Sequence, residues 1–217
     1  MSALETETLP LSSVTFASCY VYSPRGTGWL AEASRKLCER VKSSDPVWLP
    51  RYAGCVYRTS LRDGQLAALF APGAVLVPVP GCAPSGEGRW VALRLAVALR
   101  EVGFAVRVCT GLRRRYAVTK SATAASAARP SVYQHYESFA ALPESMPLAR
   151  LVLIDDVITR GRTLLAAAAR LRAELPLADV RGFALIRTQG FVDHIEHLAE
   201  PCCGVVRWAG GDARREP

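Results

Sequence analysis

Leu151-Val152-Leu153-Ile154 is an unbroken apolar run that ends on two acids, Asp155 and Asp156. A strand with one wet face alternates apolar and polar residues. This run does not, so it is expected in a sheet covered on both faces. A turn follows, then an Ala- and Leu-rich helix predicted over about Thr163 to Glu174. A covered strand feeding a helix is half of a βαβ unit, and that unit implies a parallel sheet.

The rest of the chain repeats the alternation. Val75 to Pro80 reads as a buried strand stopped by its prolines. Trp90 to Val102 carries the apolar stripe of a helix, and Ala105 to Cys109 reads as the next strand. Val180 to Ile186 is expected as a further strand, Phe191 to Ala199 as a short helix, and Gly204 to Trp208 as a last strand. The expected class is therefore α/β, a parallel sheet with helices on both faces. Residues 71–209 are assigned to this core. Residues 1–70 hold a strand candidate (Val14 to Tyr22), a helix (about Gly28 to Val41) and a β-like piece (Val47 to Tyr57). They are assigned to a hood or N-terminal extension packed on the core, and residues 210–217 to a flexible tail. Residues 110–150 form a long segment with a basic run and an Ala/Ser/Thr stretch. A connection of that length inside a compact domain is often functional.

Composition narrows the ligand more than the fold. The 27 Lys and Arg against 19 Asp and Glu give a net charge of +8, which suits an anionic partner. Nucleic acid fits that charge as well as a phosphorylated small molecule does. The seven cysteines are odd in number and contain no Cys-x-x-Cys pair, so neither a disulfide framework nor a zinc ribbon is expected. The N-terminus is acidic and polar rather than basic then apolar, and no apolar run reaches the ~18 residues of a membrane helix. A cytoplasmic protein with reduced thiols is the expectation, without a membrane partner.

Chemistry is concentrated where strand 151–154 gives way to helix 163–174. Ligands of open α/β sheets bind at the carboxyl ends of strands, where Asp155 and Asp156 stand. Thr159, Gly161 and Thr163 follow in a turn that opens a helix. Such a turn offers backbone N–H groups and the positive end of the helix dipole to a phosphate, and glycine lets the backbone come close. Two acids beside a phosphate would repel it. They make sense as acceptors for sugar hydroxyls or as neighbours of Mg²⁺. Competing nucleotide motifs fail: Gly81 and Gly86 have P-loop spacing, but Glu87-Gly88 stands where Lys and Ser/Thr are needed. His194, His197, Cys202 and Cys203 make a poor zinc set, because adjacent thiols rarely share one ion. Tyr133, Tyr136 and Phe139 read as packing rather than as base-stacking surfaces.

The string Leu151 to Thr163 resembles the signature of type I phosphoribosyltransferases, which bind 5-phosphoribosyl 1-diphosphate (PRPP). The resemblance is tight over this string and looser over about 75–188. It implies the type I phosphoribosyltransferase fold with a small hood. It also implies ribose contacts for Asp155 and Asp156, and contacts to the 5′-phosphate for Thr159, Arg160, Gly161, Arg162 and Thr163. Pro80-Gly81-Cys82 stand where the family places its pyrophosphate loop, with Arg129 a further candidate there. The long segment carrying Arg113, Arg114, Arg115 and Lys120 stands where the family places a flexible loop that closes over the reacting centre. With Asp155 and Asp156, the cations Arg113, Arg114 and Lys120 are the catalytic candidates, since the leaving diphosphate gathers negative charge. Mg²⁺ is expected to arrive with PRPP, near Asp155 and Asp156.

Within the family, residues 75–139 look most similar to the ComF-type branch associated with DNA uptake. They depart from it in lacking a zinc ribbon and in carrying Glu87-Gly88-Arg89-Trp90 after the first core strand. Thr159 occupies the place of the aspartate that hypoxanthine–guanine enzymes use near the purine, which disfavours 6-oxopurine acceptors. The expected activity is Mg²⁺-dependent transfer of 5-phosphoribosyl to a nitrogenous acceptor, a base or amine, with release of pyrophosphate, from a homodimer. Two alternatives stand beside it: a PRPP sensor without turnover, and a ComF-like accessory of DNA uptake.

Overall fold

A computed structural model describes residues 8–84, 90–119, 129–146, 150–190 and 192–217. Its centre is a seven-stranded sheet. In chain order, β1 (Ser13–Tyr22) leads through α1 (Gly28–Lys42), α2 (Trp48–Ser60) and α3 (Gly64–Leu69) to β2 (Val75–Pro78). Then come α4 (Val91–Glu101), β3 (Arg107–Val108), β4 (Leu112–Arg114), α5 (Val132–Ser138) and β5 (Phe139–Ala141). The chain closes with β6 (Arg150–Ile158), α6 (Arg162–Glu174), β7 (Asp179–Thr188), β8 (Ala199–Ala209) and β9 (Asp212–Glu216). The sheet order is β3-β2-β6-β7-β1-β8-β9, while β4 and β5 pair as a separate two-stranded ribbon. Neighbours from β3 to β1 are parallel, and β8 and β9 add an antiparallel margin.

The covered-strand expectation holds. Along β6, Leu151 and Leu153 face a core built with α6 and α5 residues such as Leu164, Leu165 and Val132. Val152 and Ile154 face the opposite core, shared with Leu37, Val56, Leu95 and Leu99 of α1, α2 and α4. All four β6 residues are fully buried. An alternating strand would leave one of these cores with polar lining.

Four local expectations are corrected. The stretch 47–57, expected as β, is the helix α2. Its aromatic and β-branched content mimics a strand, but its buried positions Leu49, Ala53, Val56 and Ser60 fall at helical spacing. Pro50 lies in the first turn, where an N–H has no partner to lose. Phe191 to Ala199 is not a helix among its described residues: Thr27 N–H donates to Asp193 O and Val21 N–H to Leu198 O, which pins the segment to the top of β1 as irregular chain. The flexible tail is the strand β9. Gly210 and Gly211 have φ of +56° and +91° and join Ala209 to its partner Asp212 as a two-residue hairpin turn. Finally, residues 13–22 are no appendage but an interior strand of the sheet, between β7 and β8.

The order of strands fixes where a ligand can sit. From β2 the chain crosses through α4 to β3, outward on one side and over one face. From β6 it crosses through α6 to β7, in the opposite direction and over the other face. The strand order therefore reverses between β2 and β6, and a crevice opens outside their carboxyl ends.

Candidate functional site

Both flanks of this crevice are residues singled out by the sequence. Pro78 pairs with Ile154, and Val79 N–H donates to Ile154 O at 2.9 Å, so Pro80-Gly81-Cys82 leave the sheet beside Asp155 and Asp156. The acids stand near the carboxyl end of β6, which runs on to Ile158. Asp155 Oδ1 accepts from Asp156 N–H at 2.9 Å, and Asp156 Oδ1 accepts from Val157 N–H at 3.0 Å. Burial, and then the neighbouring Asp156 carboxylate, push the Asp155 carboxyl well above the usual range. Lys42 at the end of α1 sits 3.9 Å from Asp156 Oδ2.

Gly161 shapes the turn that follows. It is the residue before α6 and takes φ +85°, the left-handed region. A Cβ there would lie 2.5 Å from Val206 Cγ2 on β8, so the turn is wedged against the sheet margin. Thr163 is in the first turn of α6, and the Thr159 hydroxyl lies 3.1 Å from that of Thr188. Arg160 and Arg162 both reach Asp212 on β9. Arg162 Nε donates to Oδ1 at 2.5 Å and Nη2 to Oδ2 at 2.7 Å, while Arg160 Nη1 reaches Oδ2 at 2.9 Å. These pairs hold the Asp212 carboxyl below its usual range. Arg215, also on β9, donates to Ile158 O at 3.1 Å and to Thr188 O at 2.8 Å.

The basic run divides. Arg113 is exposed on β4 and lines a hollow of about 240 Å³ with Arg107, Cys109 and Ser145. Arg114 is buried, with its guanidinium 3.8 Å from the centre of the Phe139 ring. Its Nε donates to Gly81 O at 2.9 Å, its Nη1 to Ser138 Oγ and His135 O, and its Nη2 to His135 Nδ1 at 3.0 Å. Since arginine only donates, His135 Nδ1 is an acceptor and the proton is on Nε2. Burial, with Arg114 and Arg162 nearby, lowers the His135 pKa to about 3, and burial lowers that of Arg114 to about 10. Arg114 thus braces the Gly81 loop against the β4–β5 ribbon. Arg129 is exposed just ahead of α5. Lys120 lies outside the described residues, as do Glu87, Gly88 and Arg89.

A larger cleft, about 490 Å³, opens between α1 and the end of β1 and is lined by Tyr22, Arg35, Cys38, Glu39 and Lys42. Ser34, midway along α1, accepts from Ser23 N–H at 3.0 Å, and Lys42 at the end of α1 lies beside Asp156, so the second half of the helix runs from near the end of β1 to near β6. Sequence reading missed Lys42, His135, Asp212 and Arg215. Only the Gly210-Gly211 hairpin signal could have pointed to β9 and its acid.

No group of three or more His, Cys, Asp or Glu side chains that could hold a metal ion occurs among the described residues. His194 and His197 are exposed on irregular chain rather than sharing a helix face. The adjacent carboxylates Asp155 and Asp156 are hard oxygen donors that suit Mg²⁺ brought in by a ligand supplying the remaining oxygens. Among the described residues, no helix is long and apolar enough to cross a membrane. No protein-family model matches the chain, and no curated protein matches it in sequence.

Proposed function

We propose that the chain has the type I phosphoribosyltransferase fold, binds PRPP, and transfers its 5-phosphoribosyl group to a nitrogenous acceptor. The observation that carries this reading is the crevice between β2 and β6, with the Gly81 turn on one side and the acid pair leading into the Gly161 turn on the other. In this reading the 5′-phosphate lies at the N-terminus of α6, met by the N–H groups of 159–163 and the hydroxyls of Thr159 and Thr163. Asp155 and Asp156 accept the ribose hydroxyls. The diphosphate lies toward Pro80-Gly81-Cys82, with Arg129, exposed just ahead of α5, the candidate cation for it. Mg²⁺, when bound, offsets charge on the diphosphate. The acceptor enters the cleft beneath α1, next to Asp156. Its nitrogen bonds to C1 of the ribose as the C1–O bond breaks, and the electron pair leaves with pyrophosphate.

A PRPP sensor without turnover is the second reading. It is favoured by Arg114, a cation assigned to the leaving group whose donors are directed to Gly81, Ser138 and His135. Calorimetry with PRPP and Mg²⁺ tests what both readings share. Binding is expected in the wild type and at least tenfold weaker in Asp156→Asn. No binding, or binding unchanged by the substitution, would reject both. Pyrophosphate release over a panel of bases and amines separates them: release with any one supports transfer, and silence with all, despite binding, supports the sensor.

A further inference from the structure

The carboxylate of Asp212 stands where a bound anion would be expected, beside the two guanidiniums of the phosphate turn. It is an exposed-edge acid on the last strand, yet both of its oxygens are engaged. Oδ1 accepts from Arg162 Nε and from Ala213 N–H at 2.7 Å, and Oδ2 accepts from Arg162 Nη2 and Arg160 Nη1. The two arginines differ in how firmly they are held. Arg162 is paired at two points, its side chain is 22% exposed, and its Nη1 also reaches Pro130 O at 3.4 Å. Arg160 makes one contact and is 57% exposed, so of the two it is the one that can turn to a ligand.

The turn does not depend on this carboxylate for its shape. Gly161 is wedged against Val206, Leu165 N–H donates to Gly161 O at 2.9 Å, and Arg215 holds Ile158 O and Thr188 O from the other side. What Asp212 adds is charge. Arg160, Arg162 and Asp212 together carry a single net positive charge, where the two guanidiniums alone would carry two.

Resting on the phosphoribosyl reading of this turn, we propose that Asp212 is a specificity-determining residue. It is an internal counter-anion that keeps the turn from binding phosphate as such, and it yields Arg160 to the 5′-phosphate when the ribose and diphosphate of the ligand bind too. A turn with two free arginines would fill with cellular phosphate. With Asp212 in place, an isolated phosphate must displace a carboxylate already there, and only a ligand held at further points does so readily.

The test uses the full chain and inorganic phosphate as probe, followed by calorimetry over a series of salt concentrations. In Asp212→Asn, which keeps the shape and one acceptor oxygen, phosphate is expected to bind about tenfold more tightly than in wild type, with a steeper loss of affinity as salt rises. Asp212→Glu, which keeps the charge, is expected to stay near wild type. Arg160→Gln in the Asp212→Asn background should abolish the gain. A folded Asp212→Asn chain with unchanged or weaker phosphate binding would overturn the proposal. If Asp212→Asn does not fold, Arg160→Gln alone decides: weaker binding of ribose 5-phosphate supports the recruitment of Arg160, and unchanged binding rejects it. The outcome is separable from that of the proposed function. Phosphate binding that tightens in a chain indifferent to PRPP keeps the counter-anion and removes the ligand, and PRPP binding without the phosphate effect does the reverse.

Discussion

Gly161→Ala is the sharpest test of how the turn before α6 is built. Two independent costs follow from its geometry. An alanine at φ +85° sits in the left-handed region, which costs about 1–2 kcal/mol. Its Cβ would also stand 2.5 Å from Val206 Cγ2 and 2.7 Å from Cγ1, so a buried valine on β8 must shift, an overpacking cost of about 1–3 kcal/mol. Together they predict a loss of about 3 kcal/mol, read by urea unfolding, and a fall in melting temperature of about 6–12 °C for a chain of this size. The two costs can be divided. Val206→Ala removes both methyls that clash, so in the double substitution the steric part should vanish while the dihedral part stays. A coupling energy of about 1–2 kcal/mol in the double-mutant cycle is expected. A Gly161→Ala chain within about 0.5 kcal/mol of wild type, or a cycle with no coupling, would refute the wedge between turn and sheet margin.

Asp155→Asn should raise the stability of the unliganded chain at pH 7 while weakening PRPP binding. The sign follows from the raised carboxyl. Its folded form holds a proton more tightly than its unfolded form, so its favourable share is complete below the unfolded pKa and is lost as pH rises toward the folded one. Melting curves at pH 5 and pH 7.5 should therefore show the gap between variant and wild type widening at the higher pH. Arg114→Met should cost about 3 kcal/mol in urea unfolding, because Gly81 O and His135 Nδ1 lose a charged donor and the Phe139 face loses its cation. Arg113→Met, one residue away and exposed, should stay within about 0.5 kcal/mol.

The parts of the fold legible in the sequence are those where one local pattern decides the outcome. Leu151 to Ile154 admits no wet face, so the covered parallel strand could be read directly, and so could the helix that follows Gly161. The misread parts are those where composition and periodicity disagree, or where a partner distant in sequence decides. In α2 the aromatic and β-branched residues argued for a strand, and the burial of Leu49, Ala53 and Val56 decided for a helix. The segment 192–198 takes its path from backbone bonds to Val21 and Thr27, which no local pattern encodes. Strand β9 was hidden by its own composition. Asp212-Ala213-Arg214-Arg215-Glu216 is polar enough to read as a solvated tail, and becomes a strand because the Gly210-Gly211 turn lays it against β8.

That last strand changes how the site works electrostatically. Read from the sequence, the phosphate turn combines two arginines that attract the ligand with two aspartates that repel it, and the basic run adds more attraction. In the folded chain most of these charges already have partners: Arg160 and Arg162 on Asp212, Arg114 on Gly81 and His135, Asp156 near Lys42. Asp155 differs: half-buried beside a like charge, it is pushed toward its neutral form. On the proposed PRPP reading, a ligand carrying only phosphate meets paired cations and gains little. A ligand that also presents hydroxyls, and a cation with them, gives Asp155 what its surroundings lack and favours its ionised form. The unfavourable acid pair and the guarded arginines thus act in the same direction. In the proposed reading each weakens binding of a fragment, and a ligand with phosphate, diol and metal-bound diphosphate in one molecule relieves both together.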